Sequence, residues 1–233
     1  MSTSRKIAIL VGALFLTSNV TFILGAVVFI EPFLSAPDYL MLVSANRTQV
    51  VLGVFLELIN AMAYLGIAVL MFPILKHRFE SMALGYVGIR ILEFVMQILS
   101  DLSPLSLVTL SEEFVKAGSP AASTFHNLGT MLLGERYWAF QMVSLTFGLG
   151  AVLFYSMLYR IKLIPSFISI WGLIGAAVVL VNLIFDMFGI RIINLGLLML
   201  ANELFLGGWL IVKGFDPAAI ASLHGSRVLD KTK

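Results

Sequence analysis

The stretch TQVVLGVFLELINAMAYLGIAVLMFPIL, at positions 48–75, decides the fold class. It is 28 residues long, and Glu57 is its one charged residue. A helix needs about 20 predominantly apolar residues to cross the hydrocarbon core of a bilayer. A run of this length and composition therefore predicts a transmembrane helix.

The composition of the whole chain supports the same class. Of 233 residues, 60% are hydrophobic and 12% are charged, whereas a soluble domain has about a quarter charged residues. The apolar runs lack the period-2 alternation of a barrel wall. We predict an all-α, polytopic transmembrane helix bundle of about six spans, near positions 7–30, 48–75, 81–99, 137–159, 166–185 and 194–212.

The connecting segments predict the orientation and the domain organisation. Basic residues favour the cytoplasmic side of a membrane. They precede the first span and follow the second, fourth and sixth, at Arg5, Lys6, Lys76, Arg78, Arg160, Lys162, Lys213, Arg227, Lys231 and Lys233. We therefore expect both termini in the cytoplasm, one bundle over residues 1–215, and a cytoplasmic tail over 216–233. The run 7–30 exceeds the length of a signal-peptide core, about 7–15 residues, so it predicts a retained helix.

The long outer segment, 101–136, has helix signals of its own. Ser111 is a suitable cap for a short amphipathic helix at 111–116, with Glu112 and Glu113 in its first turn. Ser119-Pro120 is typical of a second helix start, because proline suits the first helical position. That helix is predicted to begin at 121, run through the fourth span and carry His126.

Charge and cysteine content exclude several kinds of site. The net charge is +2 with scattered basic residues, so no nucleic-acid surface is expected. The absence of cysteine excludes disulfides and thiolate metal sites. His77, His126 and His224 fall in different predicted segments, which argues against a zinc site. We expect no metal and no cofactor.

Charged residues inside predicted spans are the candidates for function. Such side chains are costly in a membrane and mark functional sites more often than surface charges do. From the 1.5 Å rise per residue, three predicted helices place such residues at similar depths. The four residues are Glu57, Arg90, Glu93 and Glu203.

The spacing of these residues predicts that they face one interior. Arg90, Glu93 and Gln97 stand at i, i+3 and i+7, on one face of a helix. Glu57, Asn60 and Tyr64 repeat this spacing. Weaker candidates for the same interior or its mouth are Asn19, Asn202 and His126.

The charge balance of this set suggests a ligand. Arg90 is placed to pair with Glu93, whereas Glu57 and Glu203 have no evident basic partner within the predicted spans. Crowded carboxylates in a low dielectric do not all stay ionised, so the set predicts a bound proton or a cationic group. The competing interpretation is that polar side chains simply hold the membrane helices together.

Several short motifs resemble those of a known family. They are ELFLGGWLIVKGF at 203–215, FGLG at 147–150 with Tyr159-Arg160, Pro165 and Trp171-Gly172, and Phe125-His126-Asn127. The chain is similar in these motifs to an uncharacterised bacterial membrane family, domain of unknown function 4386. The resemblance implies a six-helix protein of the bacterial cytoplasmic membrane and implies no activity.

Three functions are compatible with this sequence. The first is a binding or transport protein whose buried carboxylate and arginine site takes a proton, a cation or a small amphiphile. The second is a membrane-embedded enzyme acting on lipid, with Glu57 or Glu203 as general base and Arg90 binding a phosphate or polarising a carbonyl. The third is a structural or accessory subunit, with a membrane protein or a second copy of the chain as its partner.

Overall fold

Helices account for nearly all of the chain in the computed structural model, which describes residues 2–118, 122–190 and 196–230. No strand occurs within these ranges. A π-helical segment, Ile23–Ile30, lies between the first two α-helices. The α-helices are α1 Thr3–Phe22, α2 Glu31–Leu34, α3 Tyr39–Ala45, α4 Arg47–Ala117, α5 Ala122–Ile161, α6 Ser166–Met187, α7 Gly196–Val212 and α8 Pro217–Asp230.

Helix α4 is broken at one residue. Phe79 has φ −140° and ψ 63°, which is not helical, inside an element of 71 residues. A straight helix of that length would measure about 107 Å, more than three times the hydrocarbon core of a bilayer. The break falls between the runs 48–75 and 81–99, which the sequence analysis predicts as two spans.

The predicted outer segment, 101–136, is more helical than expected. Helix α4 continues to Ala117, so a separate helix at 111–116 is wrong. Ser111 lies within α4 and does not cap it, because its Oγ donates to the Val108 carbonyl oxygen at 2.8 Å. Helix α5 runs unbroken from Ala122 to Ile161, which confirms a long helix through the fourth predicted span. The predicted start at Ser119 and Pro120 lies outside the described residues.

Four helical stretches are long and apolar enough to cross a membrane. They are Thr3–Leu34, Arg47–Ala117, Ala122–Ile161 and Ser166–Met187. A fifth, Gly196–Val212, qualifies only together with Pro217–Leu223, from which it is bent by 83°. The described residues thus hold four or five candidate spans, and the count of six stays a prediction.

The chain divides into two compact units. The first comprises residues 1–19, 63–93 and 144–233, and the second comprises 20–62 and 94–143. The first unit has an apolar core around residues such as Phe15, Tyr86 and Phe154. The second unit has its own core, which includes Ile30, Leu40 and Leu107. The prediction of a single bundle over 1–215 stays a prediction.

Arg5 satisfies the C-terminal end of α7 in the first unit. The last carbonyl groups of a helix have no partner within the helix. The Arg5 guanidinium donates to the carbonyl oxygens of Leu210, Ile211 and Val212, at 3.1, 2.6 and 3.2 Å. A positive charge at this end also complements the helix dipole.

Replacement of Arg5 by methionine should therefore destabilise the protein. We expect the free energy of unfolding to fall by about 1–2 kcal/mol, because charged hydrogen bonds and a dipole contact are lost together. Unfolding in detergent with rising denaturant measures the change. Lys6→Met, which removes a neighbouring charge on the same helix, is the control, and equal losses in the two variants would contradict the capping role.

Candidate functional site

One polar cluster lies in the first unit and is centred on Glu203. This side chain is 3% exposed. Its Oε2 accepts a hydrogen bond from the Tyr64 hydroxyl at 2.6 Å and one from Asn19 Nδ2 at 3.4 Å. Helices α1, α4 and α7 thus each supply a group. We call Asn19, Tyr64, Arg90, Glu93 and Glu203 the Glu203 cluster.

Arg90 occupies an aromatic and acidic surrounding in this cluster. Its Nη1 donates to Glu93 Oε2 at 2.5 Å, which confirms the predicted pair at i, i+3. Its Cζ lies 4.6 Å from the centroid of the Tyr64 ring and 5.3 Å from that of Phe147. Aromatic faces attract a guanidinium, and this attraction strengthens when water is excluded. Tyr64 therefore contacts Arg90 with its ring and Glu203 with its hydroxyl.

The second oxygen of Glu203 has no partner. Glu203 Oε1 is buried and makes no hydrogen bond to any described residue. No ion pair joins Glu203 to a lysine, arginine or histidine in the described part of the chain. A buried carboxylate without a compensating charge is expensive, and such a group tends to hold a proton or a cation.

Asn202, the residue before Glu203, has a structural contact. Its Nδ2 donates to the Ile168 carbonyl oxygen at 3.0 Å, which joins α7 to α6. Trp171 makes a similar link from α6, with its Nε1 donating to the Leu198 carbonyl oxygen at 3.1 Å. Both bonds fit the interpretation of polar side chains as connections between helices.

A second polar cluster lies in the second unit and is centred on Arg136. Its Nη2 donates to Glu57 Oε1 at 3.0 Å and to Glu57 Oε2 at 3.2 Å, in a forked pair. Its Nη1 lies 3.7 Å from Asp101 Oδ1, and its Nε lies 4.0 Å from Glu31 Oε1. Gln97 Nε2 donates to Asp101 Oδ1 at 2.9 Å and to Glu57 Oε2 at 3.4 Å. These five residues are the Arg136 cluster.

Pro104 leaves a backbone carbonyl group free to accept a hydrogen bond from Arg136. Proline has no N–H, so a proline within a helix leaves the carbonyl group four residues earlier without its usual donor. That group belongs to Ser100, and its oxygen accepts from Arg136 Nη1 at 3.5 Å. Arg136 thus donates to the carbonyl group that Pro104 leaves without a helix donor.

The predicted site residues are divided between these two clusters. Arg90, Glu93, Glu203 and Asn19 belong to the Glu203 cluster, whereas Glu57 and Gln97 belong to the Arg136 cluster. No basic partner for Glu57 was evident within the predicted spans; its partner is Arg136, one residue before the fourth predicted span, which donates to both Glu57 oxygens. Helical spacing gives the face of a residue on its own helix and does not identify the helix that it meets.

Asn60 and His126 have other surroundings. The Oδ1 atom of Asn60 is buried and makes no hydrogen bond to a described residue. The His126 ring packs edge-on against the rings of Tyr39 and Phe114, and its carbonyl oxygen accepts from the Tyr39 hydroxyl at 3.1 Å. His126 is exposed, and its ring contacts aromatic side chains of the second unit.

Four residues of these clusters were not among the predicted site residues: Glu31, Tyr64, Asp101 and Arg136. Asp101 continues the spacing from Gln97 at i+4, so its position on that face was readable from the sequence. Tyr64 shares the face of Glu57 and Asn60, as its spacing predicts, but spacing does not show that its hydroxyl meets Glu203. The sequence did not indicate a role for Arg136 in a buried site, because Arg136 stands at the edge of a predicted span beside Glu135.

The described residues give no group of side chains that could bind a metal ion. Within the described ranges, no three histidine, aspartate or glutamate side chains come together in a way that suits a metal ion. The buried polar atoms of the two clusters that lack a hydrogen-bond partner among the described residues are Glu203 Oε1, Asp101 Oδ2 and Arg90 Nε.

Long apolar helices that enclose buried charged clusters are consistent with an α-helical membrane protein. The family model described as "Domain of unknown function (DUF4386)" matches residues 10–214. The chain belongs to this family. No curated protein and no solved structure is significantly similar to it.

Proposed function

We propose that this chain is a multi-pass protein of the bacterial cytoplasmic membrane, with six spans and both termini in the cytoplasm. The break at Phe79 supports a division of α4 into two spans. Helix α7, which has 17 residues and is mostly apolar, would be the sixth span. The excess of basic residues on one set of loops supports the orientation.

We infer that the protein is a binding or transport protein, with the Glu203 cluster as its site for a proton or a small cation. The observation that carries this proposal is the buried Glu203 side chain, whose Oε1 lacks a partner among the described residues. A small amphiphile with a cationic group would meet the same oxygen, with the aromatic rings of Tyr64 and Phe147 nearby. Helices from three parts of the sequence converge on this carboxylate, as expected for a built site.

The chemistry of Glu203 differs from that of Glu93 in the same cluster. Glu93 is compensated by the Arg90 guanidinium, so its negative charge is stabilised in place. Glu203 accepts from two neutral groups, a hydroxyl and an amide, which stabilise a charge less strongly. Glu203 is therefore the carboxyl group in this cluster that would exchange a proton or a cation.

Glu203→Gln separates this function from a structural role. We expect the variant to be as stable as the wild type, or more stable by up to about 1 kcal/mol, because functional groups are commonly held at a cost in stability. The proton exchange proposed for Glu203 should make wild-type stability depend on pH. Glu203→Gln should lack this dependence in thermal unfolding.

Glu93→Gln is the matched control in the same cluster. It removes the charge that compensates Arg90, so it should be clearly less stable than the wild type at every pH. A loss of stability in Glu203→Gln as large as in Glu93→Gln would instead identify Glu203 as a structural group.

Transport is tested in vesicles that contain the purified protein and a trapped pH-sensitive dye. We expect a proton flux that Glu203→Gln abolishes and that Lys76→Gln, a surface variant, leaves unchanged. A flux that changes neither with pH nor with the Glu203 substitution would refute the transport proposal. If the stability of the wild type then still depended on pH and that of Glu203→Gln did not, Glu203 would bind a proton without transporting it.

A further inference from the structure

A cavity of about 340 Å³ opens in the first unit, between two connecting segments. One is the loop from α5 to α6, with Lys162 and Pro165, and the other is the loop from α7 to α8, with Lys213 and Asp216. Trp209, one turn before the end of α7, completes the wall. This cavity is outside the Glu203 cluster, and the proposed function makes no use of it.

The two loops hold a defined shape. The Asp216 N–H donates to the Leu163 carbonyl oxygen at 2.9 Å, which ties one loop to the other. Lys162 has φ 57°, the only positive φ among the described residues other than glycine. This conformation is unfavourable for a residue with a Cβ atom, and it occurs where the surrounding structure enforces it, often at binding sites. The fold therefore keeps a lysine where a glycine would fit more easily.

The charges that line the cavity favour an anion. Lys162 and Lys213 are exposed, and neither makes an ion pair with the described residues. Asp216, the one acidic wall residue, uses its Oδ1 to accept from the N–H groups of Ala218 and Ala219, at 2.8 and 3.0 Å. That carboxylate thus caps α8, and the two ammonium groups stay without a partner.

The start of α6 adds donors to the same cavity wall. Helix α6 begins at Ser166, which lines the cavity, and no side chain caps its N-terminal N–H groups. The free N–H groups and the dipole at such a terminus favour negative charge. Arg5 is not a further cationic contact for an anion in this cavity, because its guanidinium donates to the carbonyl groups of α7.

The place of the cavity in the chain points to lipid. Both loops belong to the set that the basic residues assign to the cytoplasmic side, and tryptophan is enriched at the membrane interface. Anionic lipids of that leaflet attract lysines near the surface, and basic pockets at helix ends bind their headgroups. A free phosphate would meet the same lysines but would gain nothing from Trp209 and the apolar helices.

We propose that this cavity binds the phosphate of an anionic glycerophospholipid, with Lys162 and Lys213 as the charged contacts. The ligand phosphate lies between the two ammonium groups and the uncapped start of α6, and Trp209 packs beside the glycerol region. The lipid assignment rests on the proposed orientation of the chain, whereas the cavity shares no residue with the Glu203 cluster, so the lipid proposal and the Glu203 proposal can fail separately.

The test compares lipid binding by the purified full-length protein and by Lys162→Gly/Lys213→Gln. Glycine at 162 keeps the loop conformation, since it adopts positive φ without strain. Native mass spectrometry in detergent measures binding of phosphatidylglycerol, phosphatidylcholine and inorganic phosphate. We expect phosphatidylglycerol to bind the wild type more tightly than phosphatidylcholine, and the double variant to lose roughly 20-fold in affinity for phosphatidylglycerol.

Two further measurements make the result decisive. Lys76→Gln removes a predicted cytoplasmic charge that does not line the cavity, and it should bind phosphatidylglycerol like the wild type. The double variant without lipid should unfold at the same temperature as the wild type or higher. Equal affinity of the double variant and the wild type for phosphatidylglycerol would overturn the site. Binding of inorganic phosphate as tight as that of phosphatidylglycerol would overturn the lipid assignment in favour of free phosphate.

Discussion

Arg136→Met should lower the free energy of unfolding by about 3–5 kcal/mol, the largest effect that we expect from a single substitution in this protein. Arg136 is 6% exposed and is the only arginine or lysine paired with Glu57 or Asp101 among the described residues. Its removal leaves the buried Glu57 carboxylate without a compensating charge. Chemical unfolding in detergent measures the loss.

A second substitution tests whether the loss arises from Glu57. A buried pair contributes little relative to an apolar pair of the same shape, whereas one uncompensated member is costly. Arg136→Met/Glu57→Gln should therefore be more stable than Arg136→Met alone. In a double-mutant cycle we expect a coupling energy of about 1–3 kcal/mol between the two side chains. Additive losses in the cycle would show that the two side chains are not coupled.

An exposed pair in the same unit provides the comparison. Arg47 Nε lies 3.0 Å from Glu112 Oε1, with 64% and 38% of the side chains exposed. Surface ion pairs contribute about 0–1 kcal/mol, because water and salt screen them. Arg47→Met should therefore change stability by less than about 1 kcal/mol. The contrast with Arg136→Met isolates the effect of burial from the effect of removing an arginine.

Gly12→Ala is the second substitution with a large expected effect. A Cβ atom at Gly12 would lie 2.6 Å from the Gly207 carbonyl oxygen and 2.9 Å from Ile211 Cγ1. The first of these is a backbone atom, so α1 and α7 would have to separate. We expect a loss of about 1–3 kcal/mol in the free energy of unfolding, as for other overpacked contacts.

Gly208→Ala is the matched control for this packing contact. Gly208 lies beside Gly207 on α7, and a Cβ atom there would have no neighbour within 4 Å. Alanine is favoured over glycine within a helix by about 0.5–1 kcal/mol, so this variant should be slightly more stable than the wild type. Similar behaviour of the two variants in thermal unfolding would refute a close contact at Gly12.

Gly172 is another glycine in a close contact. It stands four residues before Ala176 in α6, and a Cβ atom at Gly172 would collide with the Tyr155 ring. The backbone contact of Gly12 with Gly207 was not predicted. Both glycines have small-residue spacing of low specificity, since the same pattern occurs in many membrane helices. The residues that a glycine contacts depend on which helix packs against it.

The sequence by itself determined the helical fold class and the local pairs. Lipid leaves no partner for backbone N–H and C=O groups, so long apolar runs such as 48–75 form helices wherever they pack. Arg90 and Glu93 are neighbours through helix geometry alone, three residues apart. Only the tertiary structure decided that Glu57 pairs with Arg136, 79 residues away, and that Tyr64 donates to Glu203, 139 residues away. Those pairs depend on the rotation and depth at which helices pack, and these are fixed by many weak contacts that no local spacing records.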